Sequence, residues 1–160
     1  MDFSNFNVRR QDRLLAEQAA RKLLAHAEYG VLSMKSEKQG AYGVPINYAW
    51  DGKKAIYLHC APEGQKIDCI KLCDDVSFCI VGKTKVIPDK FTTEYESIVL
   101  ECKASLGLQS DERMKALELL LEKYSPEDKE TGMEYVNKSF HRTEIMKLDI
   151  VKWSGKCKSL

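Results

Sequence analysis

"YLHCAPEGQKIDCIK", residues 57–71, begins with the character of a β-strand and ends with that of a helix. Its opening residues close the alternating run "KAIYLHC" (54–60), in which Ile56, Leu58 and Cys60 face one way and Tyr57 and His59 the other. Past Cys60 the alternation stops. Ala61 to Gly64 make a corner, and Ile67, Ile70 and Leu72 then mark a short helix over about 64–73. The first N–H groups of a helix have no internal partners, and the helix dipole adds positive character to them. A cation in that turn, Lys66, is disfavoured by the dipole unless an anion lies between the two. Gly64 lets the backbone approach such an anion closely. The pattern points to an anion, phosphate above all, at the corner, with His59 on the strand leading into it. The alternative is a surface lysine beside Glu63 and Asp68 and a glycine that completes a turn.

Strands surround this corner. "YGVLSMKS" (29–36), "AYGVPINYAW" (41–50) and "KAIYLHC" follow one another across the turn signals "EKQG" and "DGK", which predicts an antiparallel meander. Pro45 lies inside the second run. Because proline donates no ladder hydrogen bond, a break or bulge is expected there, leaving backbone groups free for a ligand. "VSFCIVG" (76–82), "EYESIVLECKASLGL" (94–108) and "TEIMKLDIVKW" (143–153) read as further strands, about six in all.

Helices are expected at the start, middle and end. Ala16, Ala20, Leu23 and Ala27 fall on one face of a helix over roughly 15–28 that Gly30 would end. Met114, Leu117, Leu120 and Leu121 define a second helix opened by Ser110 and Asp111, and "SPED" (125–128) starts a third. Strand and helix do not alternate regularly, so a doubly wound sheet does not fit. The order predicts a mainly β protein, a small antiparallel barrel with peripheral helices.

A chain of 160 residues suits one domain, spanning 1–160. Its 25 basic and 24 acidic residues give a net charge of +1, which argues against nucleic acid as a partner. No apolar run approaches the roughly 20 residues that cross a membrane, and the N-terminal stretch has no apolar centre, so a cytoplasmic location is expected. The six cysteines form no CxxC pair. Cys69 and Cys73 stand four apart on the short helix without a second ligand pair, so no metal site is expected. "GKT" (82–84) lacks the upstream glycine of a P-loop, and no GxGxxG occurs.

Taken together, "AEYGVLS", "YGVPINY", "YLHCAPEGQKIDCI", "VSFCIVG" and "KFTTEYESIV" resemble the 5-nitroimidazole-resistance (Nim-like) branch of the pyridoxamine 5′-phosphate oxidase-like, FMN-binding split-barrel superfamily. The likeness runs from about Arg9 to Lys156. It implies a six-stranded split β-barrel that forms a homodimer, with FMN, or FAD, in clefts between subunits. By that resemblance Val44, Pro45, Ile46, Asn47 and Tyr48 lie along the flavin ring. His59, Cys60, Ala61, Gly64, Lys66 and Ile67 surround its phosphate. Thr92, Tyr95 and Ser97 line the cleft, and the closing "WSGK" brings Trp153 and Lys156 to the cofactor region, across the dimer or within one subunit. A barrel-end role is the alternative for Trp153. Relatives often carry histidine at the position of Gln65 and an aromatic-glycine pair in place of Glu101-Cys102.

The implied activity is a flavin-dependent oxidoreductase that reduces a small electron-poor molecule, with His59 as the catalytic candidate near neutrality. NAD(P)H or a partner reductase would visit in turn. The competing expectation is a binding module that holds flavin, or haem through His59 or His26, without turnover.

Overall fold

The computed structural model describes residues 1–159. Six long strands form one sheet: β2 (Tyr29–Ser36), β3 (Gly40–Asn47), β5 (Ala55–Cys60), β6 (Asp75–Ile87), β7 (Thr92–Ser105) and β8 (Glu144–Lys158). Two-residue strands β1 (Asp2–Phe3) and β4 (Ala49–Trp50) add to it. The order across the sheet is β3-β2-β6-β7-β8-β5-β4, antiparallel throughout except where β1 joins β8 in parallel. This is the split-barrel architecture that the sequence led us to expect. β6 and β8 are longer than expected because they continue through polar residues past the barrel wall, while β7 is shifted, starting at Thr92 and ending at Ser105.

The two ends of the sheet are one piece of chain. Residues 40–50 give their first half, β3, to β2 (Val31 opposite Pro45) and their second half, β4, to β5 (Ala49 opposite Tyr57). The chain changes partner at Tyr48, and there the barrel is split. The expected break at Pro45 does not occur. β3 pairs only with β2, so its other edge is open, and an edge strand tolerates a missing N–H on its unpaired side.

Inside the barrel, Leu32, Ile56, Leu58, Phe78, Leu100 and Leu148 are fully buried. Each comes from an alternating strand that presents its apolar set inward. Gly30 lies in this wall and does not end the first helix. A Cβ at Gly30 would stand 2.3 Å from the Phe78 ring, so the position is a close approach within β2. The first helix, α1 (Glu17–His26), already closes at Ala27.

A second apolar layer lies outside the barrel. Ala55 and Tyr57 on the outer face of β5, with Ile145 of β8, are covered by Leu117, Leu120 and Val136. The first two belong to α3 (Ser110–Tyr124) and the last to α4 (Lys129–Ser139). The remaining helix, α2 (Gln65–Leu72), packs on β2 and joins β5 to β6. Among the described residues no helix is long and apolar enough to cross a membrane.

Candidate functional site

The corner forms as its sequence requires. Gly64 adopts φ +120°, a conformation that side-chain-bearing residues rarely take, and precedes α2 with no side chain capping the helix. A Cβ at Gly64 would meet nothing within 4 Å, so the space over the helix start is open. Lys66 is half-buried in the first turn. Among the described residues neither Glu63, Asp68 nor any other carboxylate pairs with it. Its charge acts on Cys60: burial pushes that thiol's pKa up, Lys66 draws it down and Glu144 raises it. Cys60 and Glu144 are opposed residues of β5 and β8. The structure thus brings together Cys60, Ala61, Gly64 and Lys66, with Ile67 buried beneath as the helix's anchor.

His59 stands one residue before Cys60, on the face of β5 that α3 and α4 cover farther back. Its ring makes no hydrogen bond with the described residues. It is exposed by area, yet the protein crowded against one side disfavours its charged form and lowers its pKa. Its neighbour across the split is Asn47, which shares a cavity with it. On β3, Val44 and Ile46 turn inward and are half-buried, while Pro45 and Asn47 face out.

Tyr48 departs from the expected arrangement. It is fully buried, its hydroxyl donates to Leu24 O at 2.6 Å, and its ring meets Phe78 edge-on at 5.2 Å. It therefore fastens the barrel interior and offers no surface to a ligand. Trp153 is also a core residue, 1% exposed, packed edge-on against Phe3 at 4.9 Å with the Arg21 guanidinium over its ring. Its buried indole N–H has no partner among the described residues.

How the split is held was not among the expectations. At the bend, Tyr48 leaves one strand partner for another. Its N–H donates to the Tyr124 hydroxyl at 3.0 Å, and its carbonyl accepts from Lys123 Nζ at 2.9 Å. The Tyr124 hydroxyl also reaches Glu28 O, which accepts from the Asn47 amide as well. Lys123 lies 3.7 Å from the Tyr48 ring centroid, and burial pushes its pKa down to about 8. One signal was available: Tyr124 continues the apolar stripe of Leu117, Leu120 and Leu121 at the next helical step.

Thr92, Tyr95, Ser97 and Lys156 gather elsewhere. Ser97 opposes Lys156 and Tyr95 opposes Lys158, whose amine also reaches the Thr92 hydroxyl. All lie on the arm where β6 and β7 run past β2 to a tip at Phe91, a residue 97% exposed. Along β8 the corner is marked by Glu144 and the arm by Lys156, twelve positions or about 40 Å of strand apart. The two sets of expected ligand residues thus sit at different ends of β8.

The sequence profile described as pyridoxamine 5′-phosphate oxidase matches residues 16–157. No curated protein sequence matches the chain. Solved structures match its fold. A candidate 5-nitroimidazole antibiotic resistance protein of Bacteroides thetaiotaomicron superposes with TM-score 0.72 at 17% identity, over 90% of this chain and 85% of that one. An FAD-binding protein of Mesorhizobium loti gives 0.66 at 17% identity, over 92% and 97%. An FAD- and heme-binding protein of Mycobacterium smegmatis gives 0.75 at 13% identity, over 94% and 75%. With a profile match that spans all six long strands and a split sheet to go with it, the chain belongs to the pyridoxamine 5′-phosphate oxidase family.

Proposed function

We propose that the chain is an FMN-dependent oxidoreductase, of the kind represented by nitroimidazole reductases, that reduces a small electron-poor molecule as a homodimer of single-domain subunits. The observation that carries this reading is Lys66: a cation with no carboxylate partner, set in the first turn of an uncapped helix behind a glycine at φ +120°. A phosphate monoester fits that donor set. The free N–H groups of the first turn and the Lys66 ammonium would hold it, and Gly64 leaves room for its oxygens. The same corner favours FMN over haem, which has no phosphate to place there. The Mesorhizobium structure is of an FAD-binding protein and the Mycobacterium structure of one that binds FAD and heme, and both support a flavin.

When bound, a flavin supplies two-electron chemistry, with electrons brought by NAD(P)H or a partner reductase. The chain's own residues then bind and orient. The open edge of β3 from Val44 to Asn47 presents unpaired backbone groups to a flat ring. His59, whose charged form is disfavoured by burial, would present a neutral ring N–H that donates a hydrogen bond to the substrate. The arm residues Thr92, Tyr95 and Ser97 of β7 and Lys156 of β8 would complete the cleft from the second subunit, since Lys156 and the corner's Glu144 mark opposite ends of β8.

The visible spectrum of the purified protein tests the assignment. Bands near ~370 and ~450 nm, with FMN released on denaturation, are expected of an oxidised flavoprotein. A Soret band, or no bound chromophore after titration with FMN, would overturn it.

A further inference from the structure

Between α3, α4 and the end of β5 lies a cavity of about 370 Å³. Leu117, Leu120, Leu121 and Val136 form its apolar walls, and no Lys, Arg, Asp or Glu lines it. The larger hollows beside α1 and before α4 carry lysines and glutamates and suit water. Most polar groups around the apolar cavity are committed. Ser139 Oγ donates to Tyr135 O at 2.9 Å, Thr143 Oγ1 to Ser139 O at 3.0 Å, and the Asn47 amide to Glu28 O at 3.0 Å. Tyr124 is locked at the bend, and Tyr135 stands largely exposed at the rim. The His59 ring remains, unpartnered, on the strand wall.

We infer that this cavity receives the neutral, apolar ring of a small molecule and that His59 orients it by a hydrogen bond. The volume supports this: an apolar cavity of roughly 150 Å³ admits benzene, so about 370 Å³ suits one substituted ring or two fused ones. The chemistry supports it as well, because a charged ligand would lose its hydration here and gain no counter-ion. Burial keeps the imidazole neutral near pH 7, which removes the one charge an anion could have sought. The inference rests on the oxidoreductase reading only in calling this ligand the substrate. A small molecule is favoured over a segment of a second copy because the cavity is confined to about 370 Å³ and the unpartnered His59 ring lies on its strand wall.

The test uses the full chain, flavin-free and flavin-loaded, with toluene, 4-methylphenol, 4-nitrotoluene and benzoate as probes. Binding is followed by calorimetry and by the methyl signals of Leu117 and Val136. The three neutral probes should shift those methyls, and benzoate should bind at least about tenfold more weakly than 4-methylphenol. Leu117→Phe should weaken all three by about tenfold or more. Leu117→Ala should move the preference toward 4-propylphenol. His59→Gln should spare toluene and weaken 4-methylphenol. If Leu117→Phe does not fold, as judged by its melting curve, the other two variants decide. Methyls that respond to no neutral probe, or benzoate binding as well as 4-methylphenol, would overturn the inference. So would probe binding only after Tyr135→Ala has dissociated a dimer, since the cavity would then be a subunit contact. Probe binding of the expected pattern in a protein that never takes up flavin would leave this inference standing and remove the oxidoreductase. Flavin uptake with silent probes would do the reverse.

Discussion

Lys66 gains its meaning from what surrounds it. A lysine in the first turn of a helix opposes the dipole, and this one has no acidic partner to offset that. Lys66→Ala should therefore leave thermal stability nearly unchanged while weakening FMN binding by about 1.5–3 kcal/mol, the worth of a charge-assisted contact. Titration of apo-protein with FMN reads this directly, and unchanged affinity would remove the phosphate from the corner. His59 separates from Lys66 in the same assays. His59→Gln should retain flavin, because the ring takes no part in the corner, and should lower turnover of an electron-poor acceptor by about 10²–10³-fold, the worth of a well-placed hydrogen-bond donor. A loss confined to KM would assign His59 to orientation of the substrate, and unaltered kinetics at full flavin loading would take it out of the mechanism.

Among the elements, the join between α3 and the bend at Tyr48 gives the sharpest expectation. Tyr124→Phe removes the acceptor for the buried Tyr48 N–H and should cost about 1–3 kcal/mol in urea unfolding. Lys123 adds a pH dependence of known sign. Its pKa is about 8 in the fold and about 10.4 in the unfolded chain, so between those values the unfolded state binds the extra proton and stability rises with pH. Tyr48 and Tyr57, both held above the ordinary phenol range by burial, reverse the trend near pH 10, where the unfolded phenols ionise first. Unfolding free energy should accordingly increase from about pH 7.5 to 9.5, and Lys123→Met should flatten that slope. The strands themselves were readable from alternation, and the corner from its glycine and lysine, because local spacing encodes both. The partner change at Tyr48 was not readable. It depends on Tyr124, 76 residues away, satisfying backbone groups that no local pattern marks. Tyr48, placed along the ring by the resemblance, and Trp153, for which a barrel-end role was the alternative, are both buried in the core: a motif tells which residues are near a site, while burial decides which side of the wall they occupy.

At the scale of the whole molecule, corner and arm belong to different ends of β8, and in the proposed homodimer a complete cleft would take one from each subunit. Homodimers of Lys66→Ala and of Lys156→Ala should each bind FMN poorly. Mixed and allowed to exchange, they should recover about one quarter of the native sites, since half the dimers become mixed and each of these holds one intact cleft. No recovery after exchange, checked by native mass spectrometry, would mean that both residues serve the same cleft from one subunit. Pro45 has a consequence at this scale too. β3 ends the sheet with an unpaired edge eight residues long, which is a template on which other chains can polymerise. A proline in the middle of that edge interrupts any such ladder without disturbing the pairing to β2. Pro45→Val should fold and melt like the parent yet form β-rich aggregates on concentration, and the residue would then count among the determinants of the protein's solubility.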